Sequence, residues 1–165
     1  MNNEGVDINS LGQVVGYSDL TGDTTYHGFL WDKRTGMIDL GTLPGDVASD
    51  ADGINKLGQV AGGSVDADGN DRAYLWQNGV MTDLNTLIPA DSPLYLLEAT
   101  GTINDEGQIA GIALQISTGE VHAFLATPTT MYWPICERSK IVLPENVHNL
   151  LQQRRHSHRF GGGFS

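Results

Sequence analysis

Short apolar stretches alternate with polar turns along most of the chain. Apolar residues come in small groups, as at Val14-Val15 and Phe29-Leu30-Trp31, and Gly, Asn and Asp fill the intervals between them. Short apolar segments bounded by these residues are typical of β-strands joined by tight turns. The pattern therefore predicts an all-β chain built from many short strands.

The apolar segments belong to three phrases that recur in a fixed order. The first is I-N-x-x-G-Q with the apolar run that follows it, at Ile8–Ser18, Ile54–Ser64 and Ile103–Ala113. The second is H-G-F-L-W, R-A-Y-L-W or H-A-F-L-A, at His27–Trp31, Arg72–Trp76 and His122–Ala126. The third is G-M-I-D-L-G-T-L-P at Gly36–Pro44 and G-V-M-T-D-L-N-T-L-I-P at Gly79–Pro89. This order indicates tandem units of about 45 to 50 residues.

The first phrase has a local physical explanation. Asn at the first corner and Gly at the fourth are the residues preferred in a type I turn, where Asn bonds a nearby amide and Gly accepts positive φ. The apolar run after the turn predicts a strand. Gly16, Gly62 and Gly111 lie inside that strand, where Gly usually marks a close approach of backbone or a bulge.

Each unit then contains about four short strands, which is the content of a β-propeller blade. We predict a repeat domain over residues 1–128, with units at about 5–50, 51–99 and 100–128. A ring usually needs four to eight blades, so the expectation is a partial ring that is β-propeller-like. A β-sandwich or an open β array is the alternative fold.

Residues 129–165 are predicted to form a separate C-terminal tail with a short α-helix at about 144–155. Pro144 suits the first helical turn, and Val147, Leu150 and Leu151 form a narrow apolar stripe. This helix could dock on another subunit or on an exposed blade edge, or act as a basic anchor toward an acidic surface. An unpacked charged terminus is the remaining interpretation.

Charge and composition narrow the classes of partner. Residues 1–136 carry 4 Lys+Arg and 18 Asp+Glu, whereas residues 137–165 carry 5 and 2. A body this acidic repels nucleic acid and anionic lipid. No apolar run is long enough to span a membrane, and the first residues lack the pattern of a signal peptide. A single cysteine, Cys136, leaves the compartment open. Because a repeat phrase starts at Ile8, we expect the chain to be part of a longer protein.

Taken together, the three phrases resemble the bacterial extracellular repeat family called HAF, named after its His-Ala-Phe tripeptide. The resemblance covers about Gly5 to Pro128. The tripeptide itself stands at His122-Ala123-Phe124 and is altered to H-G-F and R-A-Y in the other two units. The D-L-G-T-L phrase is intact once, altered once and missing after the third unit. The resemblance implies a secreted or surface-exposed repeat protein, and it assigns no catalytic residue.

Three equivalent positions are the candidate ligand-binding residues, namely His27, Arg72 and His122. Such residues could line a channel or rim in a ring, although a strand-capping or inter-unit role is the more common one. Trp31 and Trp76 could form a sugar-stacking platform, but their strand is apolar on both faces, which favours packing in the core.

The loop D-A-D-G-N-D offers oxygen ligands at Asp66, Asp68 and Asn70, the weak candidates for a calcium site. Its spacing does not fit an EF-hand, and an acidic hairpin turn is the simpler interpretation. Asp39 and Asp83 are equivalent residues of different units, which favours a structural role over a catalytic pair.

We therefore predict a non-enzymatic extracellular or cell-surface repeat module for scaffolding or recognition, with no cofactor and an unidentified ligand. One alternative is a carbohydrate-active or carbohydrate-binding β-propeller domain, which requires acidic residues that converge and have perturbed pKa values. Another is a calcium-dependent adhesion module. The expected partners include a second copy of the chain, through exposed blade edges or the C-terminal helix, but no nucleic acid and no membrane span.

Overall fold

The computed structural model describes residues 3–22 and 25–129, which form eleven β-strands. The first sheet contains β1 (Asn3–Ile8), β2 (Val14–Asp19), β3 (Tyr26–Asp32) and β4 (Gly36–Gly41). The second contains β5 (Asp46–Ile54), β6 (Val60–Asp66), β7 (Asp71–Gln77) and β8 (Val80–Asp83), followed by a 3₁₀ turn at Leu84–Thr86. The third contains β9 (Leu94–Ile103), β10 (Ile109–Gln115) and β11 (Val121–Ala126). We call these sheets units 1, 2 and 3.

The all-β prediction is confirmed, and every unit is an antiparallel meander in which each strand pairs with its neighbour in sequence. The strands that follow the three I-N-x-x-G-Q turns are β2, β6 and β10, and they lie in three separate sheets. Two units have the predicted four strands, and unit 3 has three within the described residues. The described sheets do not close a ring. The predicted tail and its helix at about 144–155 lie outside the described residues.

The I-N-x-x-G-Q phrase forms the predicted turn in every unit. The amide of Gly12 donates to the carbonyl of Asn9 at 3.0 Å, and Gly12 has a φ of 77°. The Asn9 side-chain oxygen accepts from the amides of Leu11 and Gln13, both at 3.0 Å. The same bonds recur at Asn55 and Asn104. Asn and Gly therefore fix the turn, as the sequence predicts.

The glycine inside the second strand of each unit is required by a close approach of backbone. A Cβ atom at Gly16, Gly62 or Gly111 would collide with a backbone carbonyl oxygen of the paired first strand. At Gly62 it would also meet the hydroxyl of Tyr74, at 3.0 Å. These collisions explain why the phrase repeats Gly at this position.

The units stack face to face through two rows of side chains. In each sheet, the leading row is the row of paired residues that starts at the Ile before the turn. The trailing row is the adjacent row of paired residues, whose side chains lie on the opposite face of the sheet. In unit 1 the leading row is Ile8, Val14, Trp31 and Met37, and in unit 2 it is Ile54, Val60, Trp76 and Met81. Val15 and Leu30 begin the trailing row of unit 1.

The leading row of each unit packs on the trailing row of the unit before it. Ile54 and Val60 of unit 2 form a cluster with Val15, Leu30 and Leu40 of unit 1, and Trp76 and Met81 pack against it. A second cluster joins Ala61, Leu75 and Leu84 of unit 2 to Ile103, Ile109 and Ala126 of unit 3. The first strands β1, β5 and β9 also contact one another in order. The apolar core thus lies between units as well as within them.

A ladder of asparagine side chains connects the units. The side-chain nitrogen Nδ2 of Asn9 donates to the backbone carbonyl of Asn55 at 3.0 Å. Asn55 Nδ2 donates in the same way to the carbonyl of Asn104, also at 3.0 Å. Asn9 and Asn55 therefore fix their own turns with the side-chain oxygen and bond the next unit with the side-chain nitrogen. Sequence periodicity explains the first role, but the second depends on the stacking.

Candidate functional site

The third strand of each unit carries one of the three candidate residues, His27, Arg72 and His122. Each of them lies beside an acidic side chain. His27 Nδ1 lies 2.9 Å from Asp39 Oδ1, and His122 Nε2 lies 3.7 Å from Glu120 Oε2. Asp39 also accepts from the amide of Gly41 at 2.8 Å. The His27 contact joins β3 to β4, whereas Glu120 lies in the turn just before β11. Both contacts are local to one unit.

Arg72 is the most constrained of the three. Its guanidinium binds Asp46 Oδ1 at 2.6 Å and Asp83 Oδ2 at 3.2 Å, and it donates to the carbonyl of Pro44 at 3.1 Å. The Asp46 side chain is 1% exposed, whereas that of Arg72 is 24% exposed. Burial of Asp46 makes this pair structural, because a carboxylate left there without its cation would carry a large desolvation cost.

The D-A-D-G-N-D loop is closed by hydrogen bonds among its own residues. Asp66 Oδ1 accepts from the amide of Asn70 at 2.8 Å, and Oδ2 accepts from Asn70 Nδ2 at 2.7 Å. These bonds, with that of the amide of Asp68, lower the pKa of Asp66 even though burial acts to raise it. Asp66 thus has the geometry of a turn-forming aspartate. A cation here would compete with donors that already hold the carboxylate.

The two tryptophans have different surroundings although they occupy equivalent positions. Trp76 is half-buried and packs against the cluster between units 1 and 2. Trp31 is 38% exposed, because in the described residues no unit lies in front of unit 1. The difference follows from the order of stacking, which the shared Leu-Trp of the two phrases could not reveal.

Three acidic side chains meet between units 2 and 3. Asp50 and Asp52 come from β5 and Glu98 comes from β9, and one carboxylate oxygen of each lies within 4.8 Å of the others. Asp50 Oδ1 accepts from the amide of Gly63 at 2.8 Å. Asp52 Oδ2 is buried and has no hydrogen-bond partner among the described residues. We call this group the carboxylate cluster.

Burial dominates the electrostatics of the carboxylate cluster. Desolvation is the largest cause that raises the pKa of Asp52, and together with the charges of Asp50 and Glu98 it brings that pKa to about 8. Desolvation also raises the pKa of Asp50, to about 6, although its hydrogen bond from Gly63 acts in the opposite direction. The protonated form of Asp52 is therefore favoured at neutral pH.

Two kinds of chemistry suit such a group. Carboxylates with separated pKa values can act as general acid and base, and three converging oxygens can hold a hard cation such as Ca²⁺. Within residues 3–22 and 25–129, no other group of three acidic, histidine or cysteine ligand atoms is this close. The cluster does not line the shallow groove of about 430 Å³ between Leu75, Gln77, Asn78, Val80, Thr82 and Leu87.

Part of the carboxylate cluster could have been predicted from a recurring acidic position in the sequence. Strand pairing places Glu4, Asp50 and Glu98 at the same position of β1, β5 and β9. An acidic residue therefore recurs five or six residues before each turn asparagine. Asp52 has no acidic counterpart in the other units, so its approach to Glu98 becomes apparent only in the structure.

The described part of the chain contains no helix long and apolar enough to cross a membrane. Comparisons with protein-family models, with curated proteins and with solved structures found no match for this chain.

Proposed function

We propose that this chain is a non-enzymatic repeat module, exposed outside the cell, that serves scaffolding or recognition as a sector of a β-propeller. The observation that carries the proposal is the asparagine ladder. The most repeated residues of the sequence, Asn and Gly of the turn phrase, are used for turns and for bonds between units. The side-chain oxygen and nitrogen atoms of these asparagines are already hydrogen-bonded, so the motif serves the fold and not a reaction.

Several features support a propeller sector in particular. Each unit is a meander of short antiparallel strands, and the first strands of successive units lie against one another, as the inner strands of blades do. The resemblance to HAF repeats supports an extracellular or surface location. Repeat arrays of this kind typically use an extended face to bind other molecules.

The location is tested with an antibody raised against the purified chain. Intact cells of the source organism should be labelled, and brief protease treatment of those cells should remove the label. Labelling that requires permeabilised cells would contradict the extracellular part of the proposal. An antibody to a cytoplasmic protein serves as the control for cell integrity.

A carbohydrate-active domain is the second candidate, because the carboxylate cluster meets its requirement for converging acids with raised pKa values. The test is hydrolysis of chromogenic aryl glycosides and soluble polysaccharides between pH 4 and pH 8. Hydrolysis by the native chain that is lost in Asp52→Asn would favour this candidate over the non-enzymatic one. Rates equal to buffer for both proteins would exclude it for these substrates.

Calcium-dependent adhesion makes a separate prediction. Thermal unfolding in EDTA and in millimolar Ca²⁺ should differ if a calcium site contributes to folding, because a ligand bound to the native state raises its stability. At the D-A-D-G-N-D loop we expect no calcium site, since Asp66 is already held by its own turn, and the two unfolding curves should then coincide. A difference that persists in Asp66→Asn and disappears in Asp52→Asn would assign the calcium to the carboxylate cluster.

A further inference from the structure

Unit 1 exposes a row of apolar side chains that is covered in the other units. Ile8 is 64% exposed, whereas its counterparts Ile54 and Ile103 are 4% and 7% exposed. Met37 is 59% exposed, and its counterpart Met81 packs against the cluster between units 1 and 2. The leading row of unit 1 thus has the side chains of an inter-unit contact, but no unit within residues 3–22 and 25–129 packs against it.

Unit 3 exposes the complementary row. Leu125 pairs with Ala110 in unit 3, as Leu30 pairs with Val15 in unit 1. Leu30 is 5% exposed because unit 2 covers it, whereas Leu125 is 66% exposed. The counterpart of Leu40 lies outside the described residues. The trailing rows of units 1 and 2 bind the leading row of the next unit. The equivalent row of unit 3 is exposed at Leu125.

The asparagine ladder ends at the same two surfaces. Asn9 and Asn55 each donate an Nδ2 hydrogen bond to the next unit. Among the described residues, Asn104 Nδ2 donates to Gln108 Oε1 of its own turn at 2.8 Å and to no following unit. At the other end, the carbonyl of Asn9 accepts from the amide of Gly12 in its own turn. Within the described residues it accepts no hydrogen bond from an asparagine side chain of another unit. A donor on unit 3 and an acceptor on unit 1 match each other.

We propose that the trailing face of unit 3 binds the leading face of unit 1 of a second copy of this chain. This contact would continue the stacking seen twice within the chain, with Ile8 and Met37 of one copy against Leu125 and Ala110 of the other. Asn104 Nδ2 would donate to the carbonyl of the second copy's Asn9. Such a head-to-tail contact uses two different surfaces, so one contact leaves a leading face free on one copy and a trailing face free on the other.

Two copies that form this contact at both ends would make a closed ring of six units. Six lies within the four to eight blades that β-propellers contain. Ring closure removes both exposed apolar rows at once, which lowers the tendency of open repeat arrays to associate without limit. The inference shares the propeller geometry with the proposed function, but it does not depend on the extracellular location or on the scaffolding role.

The first measurement is the mass of the full chain in solution by light scattering after gel filtration. We expect twice the chain mass of 17.7 kDa at high concentration and a decrease toward the chain mass on dilution. A constant mass of one chain over the accessible concentration range would overturn the proposal.

Two single substitutions then identify the contact. Leu125→Asp places a charge on the trailing face of unit 3, and Met37→Asp places one on the leading face of unit 1. Each variant alone should have the mass of one chain, because every contact in its dimer contains the charge. Val80→Asp is the matched control, since Val80 is 62% exposed but lies on unit 2, and it should retain the native mass.

Mixing the two variants gives the decisive result. A pair made of one Leu125→Asp chain and one Met37→Asp chain has one contact free of both charges, so equal mixtures should form a 1:1 complex. Far-UV circular dichroism matching the native chain establishes that each variant is folded. If either variant alone remains a dimer, or if the mixture stays at the mass of one chain, the head-to-tail contact is wrong.

Discussion

Replacement of the turn asparagine by alanine in each unit separates its local role from its role between units. All three asparagines accept two amide hydrogen bonds within their turn. Asn9 and Asn55 also bond the next unit, whereas Asn104 does not within the described residues. Asn55 is 2% exposed, Asn9 is half-buried and Asn104 is exposed. The chain therefore contains its own matched controls.

The expected loss in the free energy of unfolding depends on which hydrogen-bonding groups each substitution leaves without a partner. At Asn104 the freed amides can turn to water, so Asn104→Ala should lower the free energy of unfolding by about 1 kcal/mol or less. Asn9→Ala also loses the bond to unit 2, which adds about 1 kcal/mol. Asn55→Ala loses the same bonds at a buried site, where unpaired groups cost more, for a total of about 3–4 kcal/mol.

The assay is urea unfolding followed by tryptophan fluorescence and circular dichroism, at a dilution where the chain is monomeric. The slope of unfolding free energy against urea is about 1–3 kcal/mol per molar for small proteins, so Asn55→Ala should shift the midpoint by about 1–4 M. The expected order of destabilisation is Asn55, then Asn9, then Asn104. Equal losses for Asn9→Ala and Asn104→Ala would show that the ladder between units contributes nothing.

Three further predictions concern single side chains. Asp52→Asn should stabilise the chain at pH 8 and have little effect near pH 4, because the raised pKa of Asp52 means that stability falls as pH rises from about 4 to about 8. A pH-independent difference in thermal unfolding would contradict this explanation. Arg72→Ala should cost about 3 kcal/mol, since it leaves a buried aspartate without its cation. His27→Ala should cost less than about 1 kcal/mol in the same denaturation assay, because its partner Asp39 is 57% exposed and stays hydrated. Gly62→Ala should cost about 3 kcal/mol because its Cβ meets backbone of the paired strand. In Gly5→Ala the nearest atom lies at an ordinary 3.4 Å, and similar losses for the two alanine variants would argue against the close approach.

The repeated phrases predicted most of the local structure. Asn and Gly at fixed positions specify the turn, and the apolar run behind them specifies a strand, so β2, β6 and β10 could be placed without coordinates. Gly62 could also be predicted as a point of close approach. These features depend on residues near one another in sequence, which is why a single unit contains all the information needed.

Features that depend on stacking could not be predicted in the same way. Asp50 and Glu98 approach each other because unit 3 packs on unit 2, across nearly fifty residues of sequence. The inter-unit bond of Asn55 has the same origin. Ile8 and Ile54 stand in the same phrase, yet one is exposed and the other is buried, because among the described residues unit 1 covers Ile54 and no unit covers Ile8.

The most direct test of the stacking is the solvent exposure of the three equivalent isoleucine methyl groups. The protein would be labelled at isoleucine methyls, kept monomeric with Leu125→Asp, and titrated with a soluble paramagnetic agent during NMR. The structure predicts strong broadening for Ile8 and protection for Ile54 and Ile103, in line with exposures of 64%, 4% and 7%. Equal broadening of all three methyl groups would contradict an arrangement in which each unit covers the leading row of the next.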